Sequence, residues 1–349
     1  MNEVKAIVAK RPTLETLARD GSIGRGRLAK LYNMFYAHGP GNGTFLSLPF
    51  DQLVEHGPGH MFKWERAAQP GAVIELANRG NYSALVLSIG QAEKYQNLIR
   101  PDLSLIVKID GHFLIGKDVS YPRHTNFSSI ERALKAGADA IGLTFYIGSE
   151  ETGQDVERIG KIVEKAHEYG LPVVIWGYAR GPIPNKVGAD SLLWCHYAVS
   201  AVESLGGDIV KTKFPAPVKP EKKKEYEDYI KNYIKSKIPE AEYYLELEPE
   251  DPNNVPYELH VERMKLVVNA APHTFVIVSG GPKVKDPEKE LVYTTNIVMD
   301  AGAEGRIIGR NFWGQPIEKG LELTQIVTKE MQKPQYYRPL TEPRFTGKY

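Results

Sequence analysis

One unit recurs along this chain and limits its fold more than any other feature. It is a helical pattern, a glycine-bearing stop, a short polar step, then an apolar strand. Ala72 to Arg79 stops at Gly80, and Ala84–Ser88 follows. Ser129 to Lys135 ends in Gly137, and Ala140–Tyr146 follows. The helical pattern carrying Val156, Ile159, Val163 and Ala166 stops at Gly170 before Pro172–Tyr178. Glycine takes the left-handed position that ends a helix, which lets the chain turn back into a strand. Adding Thr44–Phe50, Leu105–Ile109, the strand around Lys211, Thr274–Ser279 and Gly305–Arg310 makes eight β-units alternating with helices. That pattern predicts an α/β protein, a (β/α)8 TIM barrel over residues 44–327. A doubly wound sheet ranks second, because no Gly-x-Gly-x-x-Gly turn follows Phe50.

Residues 1–43 read as an N-terminal extension with one or two short helices packed on the barrel. Residues 328–349 read as an irregular C-terminal arm. Between strands six and seven, residues 214–272 far exceed a usual connection. Their mixed charge, as in Lys219–Lys224 and Glu248–Pro252, predicts a solvated surface excursion. Its tyrosines (Tyr226, Tyr229, Tyr233, Tyr243, Tyr244, Tyr257) leave it open to subunit contact, and a homo-oligomer is expected.

Charge bounds the partners. Lys plus Arg number 44 against 43 Asp plus Glu, a net charge of +1, so the chain offers no electrostatic footprint for nucleic acid or an anionic membrane. No apolar run reaches the ~18 residues of a spanning helix, and the first 30 residues carry recurrent charge rather than a signal-peptide pattern. The one cysteine, Cys195, excludes an internal disulfide and a cysteine zinc cluster and suits a reducing, cytoplasmic location.

The strand Gly206-Gly207-Asp208-Ile209-Val210-Lys211-Thr212-Lys213 carries the most chemistry. Side chains alternate, so Ile209, Lys211 and Lys213 share one face. A strand flanked by helices is buried on both sides. An ammonium enclosed there tends toward a neutral, nucleophilic amine, the state a Schiff-base lysine needs. The bland alternative puts both lysines at a solvated strand end. Alternation does not separate the two: Lys213 is nearer the C-terminal end, and Lys211 lies deeper among apolar neighbours.

Barrel sites collect at the C-terminal ends of strands. Those ends present Asp51, Lys108, Tyr146, Trp176 with Tyr178, the two lysines, Ser279-Gly280-Gly281 and Gly309-Arg310. Glycine turns after strands seven and eight let backbone N–H groups approach a phosphate, and a following helix N-terminus favours its charge. Lys283 and Arg310 add cations. Lys108 interrupts an apolar strand, which places it in the pocket unless it pairs with Asp110 or Asp51. The tyrosines could instead cap the core with wet hydroxyls, and Trp176 could simply pack. His56 and His60 invite a metal reading, but Gly57, Pro58 and Gly59 argue against the helix that would align them. Neither a metal nor a cofactor is expected.

Four stretches resemble a known family. They are Phe50-Asp51-Gln52-Leu53-Val54-Glu55-His56-Gly57-Pro58, Trp176-Gly177-Tyr178-Ala179-Arg180-Gly181, Asp208-Ile209-Val210-Lys211 and Ser279-Gly280-Gly281-Pro282-Lys283. In that order they are similar to the archaeal-type class I fructose-1,6-bisphosphate aldolases, from about residue 44 to 325. The resemblance departs at Gln52, where the family often has histidine, and at Ala179, where it often has proline. It implies that Lys211 forms the Schiff base, Tyr178 transfers a proton and Asp51 engages a substrate hydroxyl. It further implies that Ser279, Gly280, Gly281, Gly309 and Arg310 hold one phosphate and that Arg180 serves the other. Lys108, Trp176, Lys213 and His56 complete the expected substrate-binding set. The expected partner is a phosphorylated sugar. A Schiff-base transaldolase or sugar-phosphate synthase, a noncovalent phosphosugar isomerase and a non-catalytic barrel are the alternatives.

Overall fold

A computed structural model describes residues 11–19, 21, 23–51, 62, 64–112, 125–281 and 286–340. Eight strands close into one barrel: β1 Phe45–Phe50, β2 Ala84–Ser88, β3 Leu105–Lys108, β4 Ala140–Ile147, β5 Val173–Ala179, β6 Ile209–Lys213, β7 Phe275–Ser279 and β8 Gly305–Ile307. Their order around the barrel is β1-β8-β7-β6-β5-β4-β3-β2, and every neighbouring pair is parallel. Parallel strands need crossovers, and the helical patterns between them supply these.

Strand alternation sorts the core into two. Leu46, Leu48, Leu85, Leu87, Val107, Ile141, Leu143, Val173, Ile175, Val210, Val276 and Val278 face outward and pack against the helices. Phe45, Ala84, Val86, Ile106, Ala140, Val174, Trp176, Ile209, Phe275, Ile277 and Ile307 fill the interior. The N-terminal helices Leu14–Arg19 and Arg25–Tyr32 belong to that inner core. Phe35 meets Phe45 and Phe275 with ring centroids 5.2 and 4.7 Å apart, so this segment plugs the bottom of the barrel. Arg11 ties the plug down: it pairs with the buried Glu304 at 2.7 Å and donates to the carbonyls of Val268, Ala271 and Thr274. Chemistry is left to the other end.

Two local expectations change and one feature is added. The long connection after β6 is anchored rather than merely solvated, because its apolar residues turn inward while its charges face water. Tyr226, Ile230, Ala241 and Leu247 are buried. Arg263, fully buried, pairs with Glu248 at 2.9 Å and donates to the carbonyls of Leu247 and Ala216. Its last segment, Tyr257–Asn269, packs on the barrel as a regular helix. The eighth strand stops at Ile307 rather than Arg310, and a four-residue helix, Arg310–Trp313, begins at once. After β3 a two-residue antiparallel ladder pairs Asp110–Gly111 with Thr125–Asn126, which alternation alone could not reveal.

Candidate active site

The barrel opens at its C-terminal end into a cavity of about 610 Å³, within the range of a small-ligand site. The parallel register stacks its inward side chains in layers. Trp176 pairs across the sheet with Lys211, and Lys211 with Ile277. Two residues higher, Tyr146 pairs with Tyr178 and Lys213 with Ser279. Trp176, Lys211, Tyr178, Lys213, Asp51 and Ser279 all line the cavity. The sequence-predicted residues of β1, β5, β6 and β7 are therefore brought together.

Trp176 is the floor. Its indole fits because the facing position on β4 is Gly142: a Cβ there would lie 3.0 Å from the ring carbons and 3.3 Å from the Lys108 Cα. The Lys211 Nζ lies 5.0 Å from the centre of the indole, so this amine approaches an aromatic face from the cavity side. The indole N–H is buried with no acceptor among the described residues, and a ligand oxygen would satisfy it.

Lys213 Nζ donates to Asp190 Oδ2 at 2.5 Å, and Arg180 Nη1 reaches Oδ1 of the same carboxylate at 3.1 Å. Burial alone would raise the Asp190 carboxyl, but Lys213 and Arg180 outweigh it and hold it below the usual range. The Lys213 ammonium is thus committed to an ion pair. Arg180 also lies over the rings of Tyr146 and Tyr178, 5.8 and 5.6 Å from their centres. Tyr146 Oη stands 3.4 Å from His112 Nδ1, and His112 lines the cavity too.

Lys108 takes the alternative held open for it. Only 1% exposed, it donates to the Asp110 carbonyl at 3.0 Å and lies 3.4 Å from Asp110 Oδ1. Asp110 also accepts from Arg158 and from the Thr144 amide. Lys108 backs the Trp176 ring at 5.9 Å and is not among the lining residues. Asp51 is 6% exposed at the end of β1. His56, His60, Gln52 and Lys283 fall outside the described residues.

Gly280, Gly281, Gly309 and Arg310 line the wall next to β6, after β7 and β8. The amides of Gly280, Gly281, Gly309 and Arg310 donate to no acceptor among the described residues. Gly281 must be glycine: its φ is +152°, and a Cβ would lie 2.4 Å from Thr294 Cγ2. The expected help from helix N-termini is replaced. The helix after β7, Pro287–Asp300, is capped by its own Asp286 carboxylate, which accepts from the Glu288 and Lys289 amides. The helix after β8 has four residues, too few for an appreciable dipole. Positive charge at this wall comes from side chains: Arg310, exposed over the Trp64 ring at 5.7 Å, and Arg306, buried behind the loop.

Sequence reasoning missed His112, Asp190 and Arg306. Asp190 stood in view as a carboxylate ahead of a helical pattern. Arg306 stood in view as a charge inside an apolar strand, the same signal that flagged Lys108.

A sequence profile of the DeoC/LacD family aldolases matches residues 45–315. The chain belongs to this family. Among curated members, a Halobacterium salinarum fructose-bisphosphate aldolase class 1 is 28% identical over 275 residues, spanning 78% of this chain and 85% of its own. A Thermoproteus tenax fructose-bisphosphate aldolase class 1 is 27% identical over 274 residues, with 78% and 84% covered. A probable fructose-bisphosphate aldolase class 1 from Chlamydia trachomatis is 29% identical over 305 residues, with 86% and 83% covered. The barrel superimposes on an archaeal fructose 1,6-bisphosphate aldolase with a TM-score of 0.65 and 25% identity, covering 86% of this chain and 99% of the other. A second archaeal structure, at the same TM-score and identity, has its catalytic lysine covalently bound to the carbinolamine intermediate of its substrate; 85% of this DeoC/LacD chain and 99% of that one are covered.

Proposed function

We propose that this DeoC/LacD family member is a class I fructose-bisphosphate aldolase. It cleaves fructose 1,6-bisphosphate reversibly to dihydroxyacetone phosphate and glyceraldehyde 3-phosphate through a Schiff base on Lys211. One observation carries the reading. Lys211 on β6 lines the cavity with its Nζ 5.0 Å from the centre of the Trp176 indole, and the donor amides of the turns after β7 and β8 line the same cavity.

The Lys211 amine attacks the C2 ketone, forming the N–C2 bond as the carbonyl electrons move to oxygen. Protonation of that oxygen and loss of water leave an iminium. Asp51 takes the C4 hydroxyl proton, the C3–C4 bond breaks, and its electron pair flows into the iminium to give an enamine. Glyceraldehyde 3-phosphate leaves. Tyr178 returns a proton to C3, water adds at C2, and the N–C2 bond breaks to free dihydroxyacetone phosphate and the amine. The iminium is the electron sink, so the chemistry requires no Lewis acid.

The Trp176 N–H serves a substrate oxygen. The turns after β7 and β8, with Arg310, hold one phosphate, and Arg180 with Lys213 faces the other. Self-association belongs to the same proposal: Ile183, Tyr197 and Tyr233 are about half exposed around Trp194 and Tyr229, and equilibrium sedimentation tests it. The function is tested by coupled cleavage of fructose 1,6-bisphosphate after exhaustive chelation. Activity should persist; loss that zinc restores would place the protein in the metal-dependent class.

A further inference from the structure

Arg306 is 2% exposed and is a charge in an otherwise apolar strand, yet among the described residues none of its hydrogen bonds goes to a carboxylate. The β7–β8 ladder ends at the pair Arg306–Val278. Beyond it, the guanidinium does what a longer β8 would have done for the edge of β7. Nε donates to the Val278 carbonyl at 3.2 Å, and Nη2 to the Gly280 carbonyl at 2.8 Å. Nη1 reaches back to the hydroxyls of Thr294 and Thr295, at 3.0 and 3.2 Å, on the helix Pro287–Asp300. One planar fork therefore joins strand edge, turn and helix.

This fixes the direction of a peptide group. In a planar trans peptide the C=O and the next N–H point opposite ways. With the Gly280 carbonyl held on Arg306, the Gly281 N–H is turned away from the guanidinium, and it has no acceptor among the described residues. The seat of Gly281 against Thr294 keeps the turn in place. A buried cation normally sits beside an anion, because desolvating it is costly. Here the four acceptors are neutral, and Arg306 itself borders the cavity. Burial pushes the guanidinium down to about 10, with the Glu290 carboxylate acting against that, so it stays charged at neutral pH.

We propose that Arg306 is a positioning residue for this turn: it aims the Gly281 amide at a bound phosphate and supplies, from behind the loop, the positive charge which that phosphate neutralises. The inference rests on the turn being a phosphate cradle. It adds a residue that acts through the loop, and it assigns affinity rather than bond cleavage to that residue.

The test uses Arg306→Met and Arg306→Lys in the full-length protein. Thermal melting, calorimetric titration with inorganic phosphate, and the KM and kcat for fructose 1,6-bisphosphate are read for each. Arg306→Met should raise the phosphate Kd and the KM by roughly tenfold or more, with a much smaller fall in kcat. Arg306→Lys, which keeps the charge but loses the fork, should fall between that variant and the parent. A purely structural role would lower the melting temperature and the active fraction while leaving KM and phosphate affinity unchanged; that result overturns the proposal. If Arg306→Met does not fold, folded Arg306→Lys with parental phosphate affinity and KM overturns it equally. Arg310→Ala separates the two levels. Weaker phosphate binding in Arg310→Ala but not in the Arg306 variants sinks this inference alone, whereas unchanged binding in all three sinks the cradle.

Discussion

Replacing Arg310 by alanine isolates the phosphate contact from the stability of the fold. In the free protein its guanidinium is exposed and lies over the Trp64 ring, 5.7 Å from its centre. Its backbone lies in the four-residue helix Arg310–Trp313, where alanine is well tolerated. Stability should therefore change by no more than about 0.5 kcal/mol, the usual range for a surface substitution. The bound state loses a charge-assisted hydrogen bond, roughly 1.5–3 kcal/mol, which at about 1.4 kcal/mol per decade is roughly a 10- to 150-fold loss of affinity. The contact is remote from the breaking bond, so most of this should appear in KM, with some in kcat because remote binding positions the reacting carbon. Steady-state assays in the condensation direction, varying one triose phosphate at a time, show which end is affected. The account expects the KM of one triose phosphate to rise and the other to stay near its parental value. An unchanged KM for both, with the melting temperature intact, would place Arg310 outside the site and refute the reasoning.

Other parts of the structure can be tested in the same way. Gly142→Ala puts a methyl 3.0 Å from the Trp176 ring; displacing the floor under Lys211 should destabilise by about 1–3 kcal/mol and lower kcat, measured by melting and turnover. Phe35→Ala empties the plug between Phe45 and Phe275 and should cost about 3–5 kcal/mol of stability by denaturant titration, with KM unchanged in the folded fraction. Asp190 is held below the usual carboxylate range, so its contribution to stability is present above the ordinary aspartate range and is lost as pH falls through its lowered value. Asp190→Asn should flatten the acid side of the stability–pH curve, while an identical acid limb would remove the Lys213–Asp190–Arg180 network from the account.

Most of the barrel was legible because its signals are local. Most strands are short and apolar, several helices stop at a glycine, and β1 to β5 and β7 fall within a residue of the stretches that read as strands. The departures have non-local causes. β8 stops early because its chain leaves for a short helix, and Arg306 takes over the β7 edge with its side chain; no periodicity encodes that exchange. The segment after β6 looked solvated because its charges outnumber its anchors, yet Tyr226 and Arg263 are fully buried. In the site, alternation placed Lys211 and Lys213 on one face but could not rank them. What marks Lys213 is Asp190, 23 residues before it in sequence, and only tertiary structure brings that carboxylate across. Lys108 shows the same limit: its ion pair with Asp110, two residues along, was one of three readings the sequence allowed.

The central claim is that Lys211, and not Lys213, carries the substrate. Borohydride reduction in the presence of dihydroxyacetone phosphate converts a lysine Schiff base to a stable secondary amine, and peptide mapping by mass spectrometry locates it. The account predicts one adduct, on Lys211, retained in Lys213→Met and abolished in Lys211→Met. An adduct on Lys213 would reverse the assignment, and a folded, active protein with no adduct on either lysine would contradict the mechanism.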